Sequence, residues 1–178
     1  MEFLNAIKER IPDYAKDVRL NLDGAIARSS LEPADALGAA LAAAYATKSK
    51  PLVDAIRTSG QLTDVDANAA LTAAALMGMN NVWYPYVEMA GDEELKTQRA
   101  ELRMNAYASH GGVDKRRFEL FALAASIVGK CHFCVASHYK LLKETGMSAV
   151  QLRDVGRISA VIAAAANVLA VELETETA

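Results

Sequence analysis

Phe118-Glu119-Leu120-Phe121-Ala122-Leu123-Ala124-Ala125-Ser126-Ile127-Val128, then Gly129-Lys130, then Cys131-His132-Phe133-Cys134-Val135-Ala136-Ser137-His138, is the stretch on which the reading turns. The first segment is apolar nearly all round, carries a single charge at Glu119 and has no period-2 alternation, so it reads as a buried helix. Asp114 opens it, and Gly129 is the expected stop. A second helix then runs from about His132 to Lys143.

The same pattern extends outward in both directions. Pro12 opens a helix toward Ala27. Ser30 is the expected cap of the next, with Pro33 in its first turns and Leu37, Leu41, Ala44 and Tyr45 on one face. Pro51 starts a short helix through Ile56 and Arg57, and Thr63 caps an Ala-rich helix from Val65 to about Met79. Pro85, among Trp83, Tyr84 and Tyr86, is expected to interrupt helix. Asp92 or Glu93 begins a helix through Leu102 and Met104, which Gly111-Gly112 ends. Ser148 caps a short helix through Val155, Arg157 to Leu173 is the last, and Glu174 to Ala178 reads as a frayed tail. No run alternates like a strand, so the fold class is all-α, as one helical domain over residues 1–178. Ala40-Leu41-Ala42-Ala43 echoes Ala122-Leu123-Ala124-Ala125, and Asn81-Val82 echoes Asn167-Val168, which suggests a duplicated helical unit. Only the second copy, about residues 113–172, then carries the Cys motif.

Composition excludes several classes. Against 19 Lys and Arg stand 22 Asp and Glu, a net charge of −3, so neither nucleic acid nor an anionic membrane is an expected partner. With 52% hydrophobic and 23% charged residues, the chain is not disordered. Met1-Glu2-Phe3-Leu4-Asn5 lacks a signal pattern, and the charge-free stretch Ile158–Val171 reads as too short for a membrane span. The expected setting is cytoplasmic.

The two cysteines, Cys131 and Cys134, are not a structural staple, because closing so short a loop is worth only about 2 kcal/mol. Cys134 and His138 are one turn apart on a helix face, and Cys131 lies near the helix N-terminus, where N–H groups favour a thiolate. Two thiols and a local base are what dithiol redox chemistry needs. The dipole favours Cys131 as the thiolate and the imidazole favours Cys134; spacing does not choose. Glu119 reaches the His138 region if the two helices pack together, and burial would raise its pKa into a useful range. Zinc held by Cys131, Cys134 and His138 with Glu119, His132 or His110, and an inert buried Cys pair, are the competing readings. His132 reads as a polar helix-start residue and His110 as a helix-end residue. Trp83, Tyr84 and Tyr86 read as packing, and Lys115-Arg116-Arg117 as a solvated first turn with a docking patch for an acidic partner as the alternative.

Glu119, eleven residues, Cys131-x-x-Cys134, three residues and His138, on Ala-rich helices, resembles the AhpD-like branch of the carboxymuconolactone decarboxylase superfamily. Met79-Asn80-Asn81-Val82, Leu102-Arg103-Met104-Asn105, Gly112-Val113-Asp114-Lys115 and Ala160-Val161-Ile162 extend the resemblance. It implies a helical protomer of two related halves in a homotrimer. It also implies reduction of alkyl hydroperoxides without a bound cofactor or metal. Cys134 is then the attacking thiol that becomes a sulfenic acid, Cys131 the proton donor that resolves it as a Cys131–Cys134 disulfide, and Glu119 and His138 the proton relay. Electrons are implied to come from dihydrolipoamide on a lipoyl-bearing acyltransferase, recharged by dihydrolipoamide dehydrogenase. A partner AhpC-type peroxiredoxin is reduced through a mixed disulfide at Cys134. Phe133 departs from the family, which often has His there; His132 does not inherit that histidine's role, because one residue turns a helix by about 100°. A muconolactone-type decarboxylase and a non-catalytic thiol sensor or zinc module are the alternatives.

Overall fold

The computed structural model describes residues 1–176, with side chains through Glu172. The described residues form helices and connecting turns, with no strand among them. In chain order the α-helices are α1 (Asn5–Glu9), α2 (Lys16–Ala27), α3 (Pro33–Ala46), α4 (Lys50–Arg57), α5 (Asp64–Ala90), α6 (Glu93–Thr97), α7 (Asn105–Ala108), α8 (Lys115–Gly129), α9 (His132–Glu144) and α10 (Ala149–Glu176). A single hydrophobic cluster joins residues from Leu4 to Leu169.

Helices α3 and α8 form the centre of the fold. Every residue from Asp35 to Ala44 and from Phe118 to Ser126 is buried, so each helix is enclosed on all sides. Alanine permits this, since it adds apolar surface without bulk or side-chain entropy. Gly38 lets the Phe121 ring lie where a Cβ would be, 2.2 Å from the nearest ring carbon. A ring of α2, α5, α9 and α10 packs around the pair.

Asp35 and Asp66 tie the start of α8 to α3 and α5. Arg116 and Arg117 both donate to Asp35 at 2.8 Å, and Arg117 also donates to Asp66 at 2.8 Å. These two arginines are therefore not a free solvated turn or a docking patch; their charges are already matched within the fold. Asp154, 1% exposed, accepts from the Ser30 N–H at 2.8 Å and the Ser30 hydroxyl at 2.9 Å, and pairs with Arg153 and Arg157 at 3.0 Å. Ser30 thus ties the α2–α3 turn to α10, while Glu32 occupies the start of α3. Burial pushes the Asp154 carboxyl up, but the Ser30 and arginine bonds outweigh it and hold it well below the carboxylate range. A depressed folded pKa stabilises above the unfolded value and loses that contribution as pH falls through the folded one. Asp154→Ala is expected to lower unfolding free energy at pH 7 by about 2 kcal/mol, since the α2–α3 turn loses its two hydrogen bonds to a charged acceptor on α10. Urea titration should show this penalty shrinking in strong acid.

Several local expectations fail for physical reasons. Helix α5 runs through Pro85 to Ala90. Proline removes the bond to the Asn81 carbonyl, yet Asn81 donates its side-chain amide to the Ala125 carbonyl at 3.2 Å and Tyr84 stacks on Phe133 at 4.1 Å, so tertiary contacts hold both sides. The helix from Glu93 stops at Thr97, because α6 buries no residue that could sustain a longer run. Gly156 does not divide the C-terminal segment: Val155 and Ile158 are buried on either side of it, and α10 continues to Glu176. The expected frayed tail is therefore helical through that residue, and Thr177 and Ala178 lie outside the described residues. By length and composition Ala149–Glu172 could cross a membrane, more than Ile158–Val171 suggests. Its Ile158, Ile162, Ala165 and Leu169 are buried in the protein core.

The internal echo has a structural counterpart. A shift of 82 positions places Pro33 on Lys115 and Lys50 on His132, the first residues of α3 and α8 and of α4 and α9. Lys48 (φ 62°) and Lys130 (φ 55°) are both left-handed. The same backbone bonds recur, Ser49 N–H to Ala44 O at 3.2 Å and Cys131 N–H to Ser126 O at 3.3 Å. Leu37, Ser49, Leu52 and Ile56, all buried, fall on Glu119, Cys131, Cys134 and His138. Apolar Leu37, Leu52 and Ile56 thus stand in the first half where Glu119, Cys134 and His138 stand in the second.

Candidate active site

Helix α8 ends one residue later than expected. Gly129 is still helical, and Lys130 takes the left-handed conformation that turns the chain. Gly129 serves a close approach instead: a Cβ there would meet the Asn81 amide at 2.2 Å. Asn81 is thereby held on the end of α8, and Asn80 beside it presents its carbonyl to Cys131 Sγ at 3.9 Å. The left-handed Lys130 costs about 1–2 kcal/mol, offset by the bonds its turn closes, Lys130 N–H to Ile127 O at 3.1 Å and Cys131 N–H to Ser126 O at 3.3 Å.

Cys131 occupies the N-cap of α9, its sulfur accepting from the Cys134 N–H at 3.2 Å. The two sulfurs form a disulfide, with Cα atoms 5.3 Å apart. Cys134, His138 and Leu142 are the buried stripe of α9, spaced one turn apart. Cys131 is fully buried and Cys134 is 2% exposed.

Helices α8 and α9 fold back on each other so that Glu119, 1% exposed, meets His138, 6% exposed. His138 Nδ1 lies 2.6 Å from Glu119 Oε2, and its Nε2 lies 3.2 Å from Met77 Sδ. An ionised carboxylate only accepts, so Nδ1 carries the proton and Nε2 is the nitrogen left to accept one. Once protonated, Nε2 has the Met77 thioether as acceptor. The second carboxylate oxygen, Oε1, accepts from the Tyr107 hydroxyl. Burial pushes Glu119 up, but the His138 and Tyr107 bonds, with the charges of His138 and Lys115, outweigh it and leave the carboxyl below its ordinary value. The expected rise is thus reversed: the site keeps this carboxylate ionised. Burial and the facing carboxylate push the Tyr107 hydroxyl up, so it stays a donor.

Cys134 and His138 border one cleft of about 340 Å³, whose wall includes Asn80, Tyr84, Leu102, Met104, Tyr107 and Phe133. Cys131 is not part of that wall. His132 points away, its ring 81% exposed and 3.1 Å from Glu88. His110 stands in a short turn at Tyr107 and Phe118, with ring centroids 6.2 and 5.7 Å away, rather than at the end of a long helix. Trp83 and Tyr86 pair with each other at 5.9 Å, whereas Tyr84 joins the cleft wall. Among the described residues, no three His, Cys, Asp or Glu side chains are grouped to hold a metal ion.

Residues 93–176 match the carboxymuconolactone decarboxylase family. The chain is 44% identical over 171 residues to the alkyl hydroperoxide reductase AhpD of Rhodospirillum centenum, covering 95% of this chain and 91% of that protein. It is 41% identical over 167 residues to that of Rhizorhabdus wittichii, covering 93% and 96%, and 37% identical over 177 residues to that of Coxiella burnetii, covering 97% and 99%. The chain belongs to the AhpD family. The AhpD-like resemblance rested on Glu119, Cys131, Cys134 and His138; the fold places Cys134 and His138 on one cleft, with Cys131 bonded to the first and Glu119 to the second. Tyr107 and Met77 escaped the sequence reading. Tyr107 follows the Leu102-Arg103-Met104-Asn105 motif by two residues, a usable pointer; Met77 in an Ala-rich helix gives none.

Proposed function

We propose that the protein is an antioxidant oxidoreductase that reduces alkyl hydroperoxides with the Cys131/Cys134 dithiol. The observation that carries this is that Cys134, already joined to Cys131, borders a cleft together with His138, itself paired to a buried carboxylate. In the reduced protein the Cys134 thiolate attacks the terminal peroxide oxygen. The O–O bond breaks, Cys134 becomes a sulfenic acid, and the alkoxide leaves as alcohol after taking a proton. Cys131 then attacks the Cys134 sulfur, and water leaves as the disulfide forms. Two electrons and two protons from a dithiol reductant restore the start.

Cys134 is the attacking sulfur and Cys131 the resolving one, for a reason spacing alone did not supply. Cys134 borders the cleft, whereas Cys131 lies behind it against the Asn80 carbonyl, an acceptor that favours the protonated thiol. His138, backed by Glu119, takes the thiol proton and returns it to the leaving group. Dihydrolipoamide on a lipoyl-bearing acyltransferase, recharged by dihydrolipoamide dehydrogenase, belongs to the proposal as electron source. So do an AhpC-type peroxiredoxin reduced through a mixed disulfide at Cys134, a homotrimeric assembly and a cytoplasmic setting. No resident cofactor or metal takes part in this scheme.

The test is turnover of cumene hydroperoxide with dihydrolipoamide by metal-stripped protein. Many turnovers per site are expected. A single stoichiometric oxidation of the dithiol with no turnover would make the protein a sensor, and no oxidation at all would remove the redox reading.

A further inference from the structure

The peroxide chemistry proposed above needs a carboxylate behind His138 that is both ionised and correctly turned. Two neighbours on α8 grip Tyr107. Its ring packs edge-on against Phe118, with centroids 5.3 Å apart and planes at 85°, and its hydroxyl donates to Oε1 of Glu119, the next residue. The other carboxylate oxygen faces His138. Tyr107 also borders the cleft, in a segment whose Leu102 and Met104 form part of the cleft wall. Among the described residues, the Tyr107–Glu119 bond is the side-chain hydrogen bond that ties residues 98–108 to the rest of the protein; the Ser109 hydroxyl bonds only to Ala106 beside it.

We infer that Tyr107 is a positioning residue of the relay: its hydroxyl fixes the Glu119 carboxylate in the orientation His138 meets, and the same bond latches residues 98–108 along the redox cleft. The inference rests on the dithiol-peroxidase reading for its catalytic consequence. A carboxylate with one oxygen held by a neutral donor keeps the other for the imidazole and cannot rotate away when His138 gains or loses its second proton. A hydrogen bond to the ionised form also favours that form, so the carboxylate persists to lower pH with Tyr107 than without it. The titratable groups facing Glu119 are His138 from α9, Tyr107 from α7 and Lys115 from its own helix. Of these, only Tyr107 donates without carrying charge in either step. A latch of one bond also couples two functions: whatever loosens Tyr107 disturbs both the relay and the wall that the substrate meets.

Tyr107→Phe keeps the ring on Phe118 and removes only the hydroxyl; Tyr107→Leu removes both. In Tyr107→Phe the acid limb of the kcat profile for cumene hydroperoxide should move up by about one to two pH units, as expected when a charged group loses a hydrogen bond. On that limb each unit is a tenfold loss of kcat at fixed pH. KM should change little in Tyr107→Phe and rise in Tyr107→Leu. In a Glu119→Gln background, Tyr107→Phe should leave the pH profile where it was. Direct NMR titration of the Glu119 carboxyl, which needs no turnover, should move in the same direction as the acid limb. An unmoved carboxyl titration overturns the inference whatever the activity. A moved titration with an unmoved rate profile overturns the positioning role. Absence of turnover in the unmodified protein counts against the peroxidase reading, while the titration still decides whether Tyr107 holds Glu119.

Discussion

Cys134→Ser is expected to lose all peroxide-dependent turnover, a fall to the uncatalysed background, while folding is kept. Serine preserves the buried stripe of Cys134, His138 and Leu142, and the residue 134 N–H can still bond to Cys131. What disappears is the one sulfur that both borders the cleft and stands a turn from His138. The reciprocal variant is the sharper test. Cys131→Ser should react once with hydroperoxide and stop at a sulfenic acid on Cys134, because no thiol is left to condense with it. Trapping with dimedone and peptide mass analysis should place the adduct at residue 134. Retained activity in Cys134→Ser with an adduct at Cys131 would exchange the two roles. It would mean that the N-cap donors at Cys131 outweigh the imidazole at Cys134.

The line between what the residues reveal and what only the fold reveals can be drawn at particular positions. The Glu119, Cys131, Cys134 and His138 spacing is local to two adjacent helices, so the helical period carries it directly into space. The all-α class is legible for the same reason. Pro85 misled because a proline's cost is local while the contacts that override it, Asn81 on Ala125 and Tyr84 on Phe133, join distant segments. The same holds for Arg116 and Arg117. They look like a solvated turn until Asp35 and Asp66, on two other helices, arrive beside them. The direction of the Glu119 shift follows from the His138 and Tyr107 bonds together, which outweigh burial. Burial was inferable from the apolar helix; the Tyr107 hydroxyl, from a single-turn helix with no periodic signal, was not.

The halves of the chain also bear on how the site is supported. Leu37, Leu52 and Ile56 fill the first copy where Glu119, Cys134 and His138 stand in the second. The polar trio therefore sits in a framework that can be closed with apolar side chains. Its hydrogen bonds are what make the buried polar version tenable, since a buried carboxylate without donors would be costly or would neutralise. Glu119 has a donor on each oxygen. The C-terminal half thus depends on satisfied pairing where its counterpart depends on packing.

That dependence makes Glu119→Gln the second large effect. Glutamine nearly matches the shape; its amide oxygen can accept from His138 Nδ1 while its NH2 donates to the Tyr107 hydroxyl oxygen, which turns its own proton elsewhere, so the unfolding midpoint should shift only modestly. It cannot balance an imidazolium, so His138 becomes a poorer base toward Cys134 and a poorer acid toward the leaving alkoxide. Turnover is expected to fall by about 10²-fold or more, within the usual range for positioned acid–base groups. His138→Gln should cost at least as much, because it removes the proton carrier itself. The pair should be strongly non-additive: Glu119→Gln in a His138→Gln background should change turnover little, since a carboxylate with no imidazole to support has no relay role left. The pH behaviour carries a sign as well. Glu119 is held below its ordinary value, so its support is present above the unfolded carboxylate pKa and lost as pH falls through the folded one. The acid limb of kcat/KM should therefore change shape in Glu119→Gln, where protonation of His138 and Cys134 alone is left to set it. Full additivity of the two substitutions, measured by stopped-flow oxidation of the reduced dithiol, would mean that Glu119 acts on the cysteines by a route that bypasses His138.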